Sequence, residues 1–88
     1  MPNADIKLYA LSTCGHCRDC KALLAELGCQ YTCVDVDQLD PAERRAVLAE
    51  VQAVNPRLSF PTLIIGNKVI VGFKKEEIEE ILNAAQRP

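Results

Sequence analysis

The sequence predicts an α/β domain of element order β-α-β-α-β-β-α, with a four-stranded mixed sheet flanked by three helices. Three observations predict it. The chain has 88 residues, a length that one hydrophobic core organises comfortably, so residues 1–88 are expected to form a single domain. A short apolar run, a helical stripe and a short β-branched run open the chain, which is the pattern of a parallel strand-helix-strand unit with a right-handed crossover. Later, two apolar runs flank Gly66-Asn67-Lys68, the pattern of a compact hairpin.

Ile6 to Leu11 forms the first strand and ends in Ser12-Thr13. Cys17, Cys20, Leu24 and Leu27 then recur at i, i+3, i+7 and i+10 with Leu23 beside them, the stripe of a helix lying on a core, and Gly28 is its stop. Tyr31 to Val36 is short and β-branched and reads as the second strand. Asp40-Pro41-Ala42-Glu43 supplies an N-cap, a proline at the first helical position and an acidic residue at the third, so a helix is expected from there to about Val54, where Asn55-Pro56 ends it. A polar loop leads to Phe60-Pro61-Thr62, and Leu63-Ile64-Ile65 with Val69-Ile70-Val71 supply the hairpin strands. Ile78, Ile81, Leu82 and Ala85 repeat at helical spacing behind Glu76 and Glu77, whose carboxylates suit the positive end of a helix dipole.

Composition narrows the function classes. With 49% apolar and 25% charged residues, the chain is neither disordered, collagen-like nor a coiled coil. A formal charge of −2 with two Phe, two Tyr and no Trp argues against nucleic-acid binding. No basic segment followed by an apolar run opens the chain, and no apolar stretch approaches the ~18 residues that span a bilayer. A cytoplasmic monomer without membrane contact is expected. The five cysteines are the number out of place. In a reducing cytosol cysteines are catalytic, metal-binding or buried, and an odd count leaves one unpaired.

Cys14-Gly15-His16-Cys17 stands where the first strand hands over to the first helix. Cysteines three apart in a helical turn share a face, close enough for a disulfide, and the first sits among the free N–H groups at the positive end of the helix. Such sites lower a thiol pKa from about 8.5 to roughly 3.5–7.5, each unit being about 1.4 kcal/mol of preference for the thiolate. This predicts thiol–disulfide exchange with Cys14 as the exposed nucleophile and Cys17 as the thiol that resolves the mixed disulfide. A protonated His16 would favour the thiolate further, or it is a solvated side chain in a turn. The competing reading of a lone Cys-x-x-Cys is half a zinc site, for which Cys20, Cys29 and Cys33 offer further ligands. The usual second closely spaced pair is missing, however: Cys29 and Cys33 are four apart, expected on a strand with their side chains on one face. All three are expected to be packing residues. Phe60-Pro61-Thr62 reads as the start of an edge strand or as a cis X-Pro turn.

With these residues in view, the chain resembles the glutaredoxins of the thioredoxin-fold superfamily from Ile6 to Leu82. Cys14 to Leu24 resembles the active-site turn and helix, Val34-Asp35-Val36-Asp37 the strand that follows, and Phe60-Pro61-Thr62 the substrate-side proline loop. The resemblance implies a thioredoxin (glutaredoxin-like) fold, a cis Pro61 facing the cysteine pair, and a backbone at Phe60 that pairs with the substrate chain. It also implies the same roles for Cys14 and Cys17, and substrate binding at Thr13, Gly15, Phe60, Pro61, Thr62, Gly72 and Phe73.

The departures are specific. Gly15-His16 resembles the dipeptide of protein disulfide isomerases, and Leu11 stands where a lysine of the glutathione site is usual. The Gly-Gly-x-Asp turn becomes Val71-Gly72-Phe73-Lys74, closer to the Gly-Phe-Arg of NrdH-redoxins, which are reduced by thioredoxin reductase. Lys74 and Lys75 open a helix, where the dipole disfavours them, as a contact for an anion or partner or as solvated surface. The expected partners are protein disulfides and a reductant, either glutathione or a thioredoxin reductase-type flavoenzyme, with no tightly bound cofactor. The rival from another class is a metal or iron–sulfur module using Cys14 with other thiols, because thiolates also suit those centres.

Overall fold

The computed structural model describes residues 5–86. Strands β1 (Ile6–Ala10), β2 (Thr32–Asp35), β3 (Thr62–Ile65) and β4 (Lys68–Val71) alternate with helices α1 (Gly15–Glu26), α2 (Pro41–Val54) and α3 (Lys75–Gln86) in the expected order. The sheet runs β2-β1-β3-β4, with β1 parallel to β2 and antiparallel to β3, and β3 antiparallel to β4. It is therefore the mixed sheet of a thioredoxin fold. No described helix is long and apolar enough to cross a membrane.

Alternation along β1 sorts the core. Ile6, Leu8 and Ala10 face α1 and α3 and are buried with Cys17, Cys20, Leu23, Leu24, Leu63, Ile65, Ile70, Ile78 and Leu82. Tyr9 faces the other way, onto α2, where it is buried with Val36 and Val51. Ala85, the last position of the expected α3 stripe, lies outside the residues whose side chains are described.

Local chemistry sets the element ends. Gly28, at φ 71, closes α1: its N–H reaches Ala25 O and that of Cys29 reaches Leu24 O, both at 3.0 Å, a Schellman cap that needs the left-handed conformation glycine adopts freely. Asp40 caps α2 by accepting the Glu43 N–H at 2.9 Å, with Pro41 at the first helical position. Gly66, at φ 61, makes the first position of the two-residue turn between β3 and β4.

Two expectations for the cysteine-bearing region are corrected. The second strand is shorter than Tyr31 to Val36, because Val36–Gln38 turn into a single 3₁₀ turn. Cys29 is not on that strand, since its N–H is still engaged by the end of α1. Cys33 is exposed rather than packed, because β2 is the sheet edge.

Register positions the site. The pair Tyr9↔Thr62 carries Pro61 to the end of β1 from which the chain enters α1. The pair Thr62↔Val71 brings Gly72 alongside, and Ala10↔Asp35 brings the 3₁₀ turn beside Ser12.

Candidate active site

Cys14 is the N-cap of α1, with φ −88 and ψ 124. Its Sγ accepts the Cys17 N–H at 3.3 Å, so sulfur occupies the place a capping oxygen usually takes and meets the unpaired donors of the first turn. Phe60 O lies 4.0 Å from the same sulfur, and the Phe60–Pro61 peptide is cis, as the resemblance implied. Cys17 is wholly buried one turn inside, and its Sγ accepts the Leu11 N–H at 3.5 Å. All five cysteines are free thiols.

The two thiols are pushed in opposite directions. The hydrogen bond from the Cys17 side chain holds Cys14 below its ordinary value, helped by the backbone N–H groups of Cys17 and His16 and opposed by partial burial and the Asp19 carboxylate. Burial pushes Cys17 up to about 12, and its hydrogen bond to Cys14 adds to the rise. Proton affinity thus falls toward the mouth of the site and rises toward the core.

Two polar brackets hold the loops that meet at Cys14. Before the helix, Ser12 donates its N–H to Asp37 Oδ1 at 2.8 Å and its hydroxyl to Asp37 Oδ2, while Gln38 Nε2 donates to Ser12 Oγ at 3.0 Å. The Ser12 hydroxyl and N–H hold the Asp37 carboxyl below its ordinary value. Before β3, the buried Asn55 donates from Nδ2 to Ser59 O at 3.0 Å and to Thr62 Oγ1 at 2.9 Å, and Thr62 Oγ1 donates to Ser59 O at 2.8 Å. These bonds span the loop in which Leu58 takes φ 52.

The structure brings Cys14, Cys17, Phe60 and Pro61 together and joins Gly72 to them through its N–H, which donates to Pro61 O at 2.8 Å. Thr13, Gly15 and His16 are exposed on the rim. Phe73 is half-buried against the core shared by α1 and α3. Thr62 is buried, its hydroxyl turned inward to Asn55 and Ser59 rather than toward Cys14. Sequence reasoning missed the brackets: Asn55 read only as a helix end and Asp37 only as the tail of a strand. Among the described residues no group of three or more His, Cys, Asp or Glu side chains is placed to hold a metal ion.

Comparisons with known proteins agree with this geometry. The glutaredoxin family model matches residues 6–70. The chain is 30% identical over 77 residues, 88% of its length and 96% of the relative's, to an uncharacterized glutaredoxin-like 8.6 kDa protein in a rubredoxin operon of Clostridium pasteurianum. Methanoredoxin of Methanosarcina acetivorans superposes with a TM-score of 0.88 at 42% identity, over 91% of this chain and 85% of that one. A glutaredoxin of Methanosarcina mazei gives 0.83 at 45% identity, over 90% and 78%. The chain belongs to the glutaredoxin family, and its fold and cysteine pair are those of a thiol–disulfide oxidoreductase.

Proposed function

We propose that the protein reduces protein disulfides by a dithiol mechanism, with Cys14 as nucleophile and Cys17 as resolving thiol. The observation that carries the reading is the opposed setting of the two sulfurs: one half-buried among N–H donors, the other sealed in the core. The Cys14 thiolate attacks one sulfur of the substrate cystine. A Cys14–substrate disulfide forms, the substrate S–S bond breaks, and the departing sulfur leaves as a thiolate that takes a proton from water. Cys17 then loses its proton and attacks Cys14 Sγ. The Cys14–Cys17 bond forms and the second substrate thiolate departs.

Cys17 is protected from premature reaction while Cys14 is a thiolate, because its proton is shared with that charge. Once Cys14 is bound in the mixed disulfide the charge is gone, and the part of the rise due to it goes too. The cis-proline loop offers the Phe60 carbonyl beside the reacting sulfur, where an extended substrate strand can pair with it. Two electrons and two protons then restore the dithiol. We assign them to a thioredoxin reductase-type flavoenzyme in preference to glutathione, since Leu11 and Lys74 replace the lysine and aspartate of a glutathione site. The metal or iron–sulfur alternative would need thiols beyond those the described residues bring to Cys14.

The test is trapping. A Cys17→Ser protein mixed with a disulfide-bonded substrate protein is expected to accumulate a mixed disulfide that peptide mapping places on Cys14. No adduct, or an adduct on another cysteine, overturns the reading. NADPH consumption with thioredoxin reductase, compared with glutathione and glutathione reductase, identifies the donor.

A further inference from the structure

Beyond the active pair, two more thiols meet at the seam between α1 and β2. Cys20 follows Cys17 by three residues on α1 and is, like it, fully buried. An α-helix sets such residues about 5 Å apart from Cα to Cα, within the span a disulfide bridges. On the sheet, Cys33 pairs with Leu8 and Asp35 with Ala10, so both side chains stand on the face that α1 covers. The ion pair from Lys21 Nζ to Asp35 Oδ1, at 2.8 Å, fastens α1 to β2 beside these positions. Cys33 is open to solvent at the sheet edge, whereas Cys20 lies in the core. From Cys14 through Cys17 and Cys20 to Cys33, each thiol lies in the electrostatic field of the next.

We propose that Cys20 and Cys33 form a second redox pair, to which the Cys14–Cys17 disulfide passes its oxidation by two internal exchanges; this rests on the dithiol reading above. In the first, deprotonated Cys20 attacks Cys17 Sγ, so that the Cys17–Cys20 bond forms, the Cys14–Cys17 bond breaks and Cys14 leaves as a thiolate. In the second, deprotonated Cys33 attacks Cys20 Sγ, the Cys20–Cys33 bond forms, and Cys17 leaves and takes up a proton. One disulfide and two thiols stand at the start and at the end, so no outside oxidant is consumed. The direction follows from the surroundings. Cys14 is stabilised as a thiolate and leaves readily, whereas burial pushes Cys20 up to about 11, and burial with the neighbouring Asp35 raises Cys33. The active pair returns to the dithiol and can act on a second substrate, so the fully reduced chain delivers two reductions before it is recharged.

Reduced wild-type, Cys33→Ser and Cys14→Ser proteins are exposed to glutathione disulfide, sampled over time, quenched by alkylation and mapped by mass spectrometry. Wild type is expected to gain Cys14–Cys17 first and Cys20–Cys33 second. Cys33→Ser stops at the first disulfide while its first turnover keeps the parental rate, because Cys33 is exposed and outside the site. Cys14→Ser forms Cys20–Cys33 about tenfold or more slowly, since its route is cut. Full alkylation of Cys20 and Cys33 in wild type whose Cys14–Cys17 pair is oxidised overturns the proposal, as does equal formation of Cys20–Cys33 in Cys14→Ser. Failure of Cys14–Cys17 itself to form would instead overturn the dithiol reading beneath it.

Discussion

The first turn of α1 and the turn that follows it carry the same functional group in opposite states. At Cys14 the helix has not yet begun to satisfy its own N–H groups, so a sulfur placed there meets donors and is favoured as an anion. At Cys17 and Cys20 those groups are spent in the helix and the side chains lie among Leu8, Leu23 and Leu24, where a charge has no compensation. One helix thus makes a nucleophile and two protected thiols from identical side chains. The difference teaches that reactivity here is a property of position along the helix, set by which N–H groups are still free and by where the core begins.

The strongest way to break the comparison is to remove the exposed member. Cys14→Ser is expected to lose disulfide reduction on the order of 10³-fold or more in a steady-state assay with a protein disulfide, because no other thiol has both exposure and a donor set. Raising the pH attacks the buried members. Their folded-state values, about 12 for Cys17 and 11 for Cys20, lie above the ordinary 9.0, so their contribution to stability is complete below pH 9 and is lost as pH rises toward those values. Urea midpoints of the reduced protein are expected to fall between about pH 8 and pH 10.5.

A smaller effect sharpens the account of the loop facing Cys14. Asn55→Ala removes the donor that ties Ser59 to Thr62 and is expected to cost about 1–3 kcal/mol in urea unfolding, because buried acceptors lose their partner. The smallest is a control at the far side of the sheet. Asp40→Ala deletes the N-cap of α2 and is expected to cost ~1 kcal/mol while leaving the disulfide-reduction rate unchanged.

What the sequence made legible was whatever depends on neighbours in the chain. The stripe of α1, the Asp40-Pro41 start of α2, the Gly28 stop and the hairpin at Gly66 are all decided within a few residues, and all stand in the structure. The Cys14 and Cys17 positions were legible for the same reason, since an N-cap and the residue three beyond it are a local relation. The brackets were not. Asp37 reaches Ser12 only because β2 pairs parallel with β1 in one register, and Asn55 reaches Thr62 only because the intervening loop folds back through Leu58. Cys33 was misread because nothing local tells an edge strand from an inner one, and Cys29 because a Schellman cap borrows the residue after its glycine.

The account turns on the unequal proton affinities of Cys14 and Cys17, and the pH dependence of alkylation tests this most directly. Reduced wild-type and Cys17→Ser proteins are reacted with iodoacetamide across a pH series, with the modified cysteine located by mass spectrometry. Cys14 is expected to react first, with a midpoint below the ordinary 9.0, and the Cys17→Ser change to move that midpoint upward by removing the thiol that donates to it. A Cys14 midpoint at or above 9.0, or modification of Cys17 before Cys14, would contradict the account.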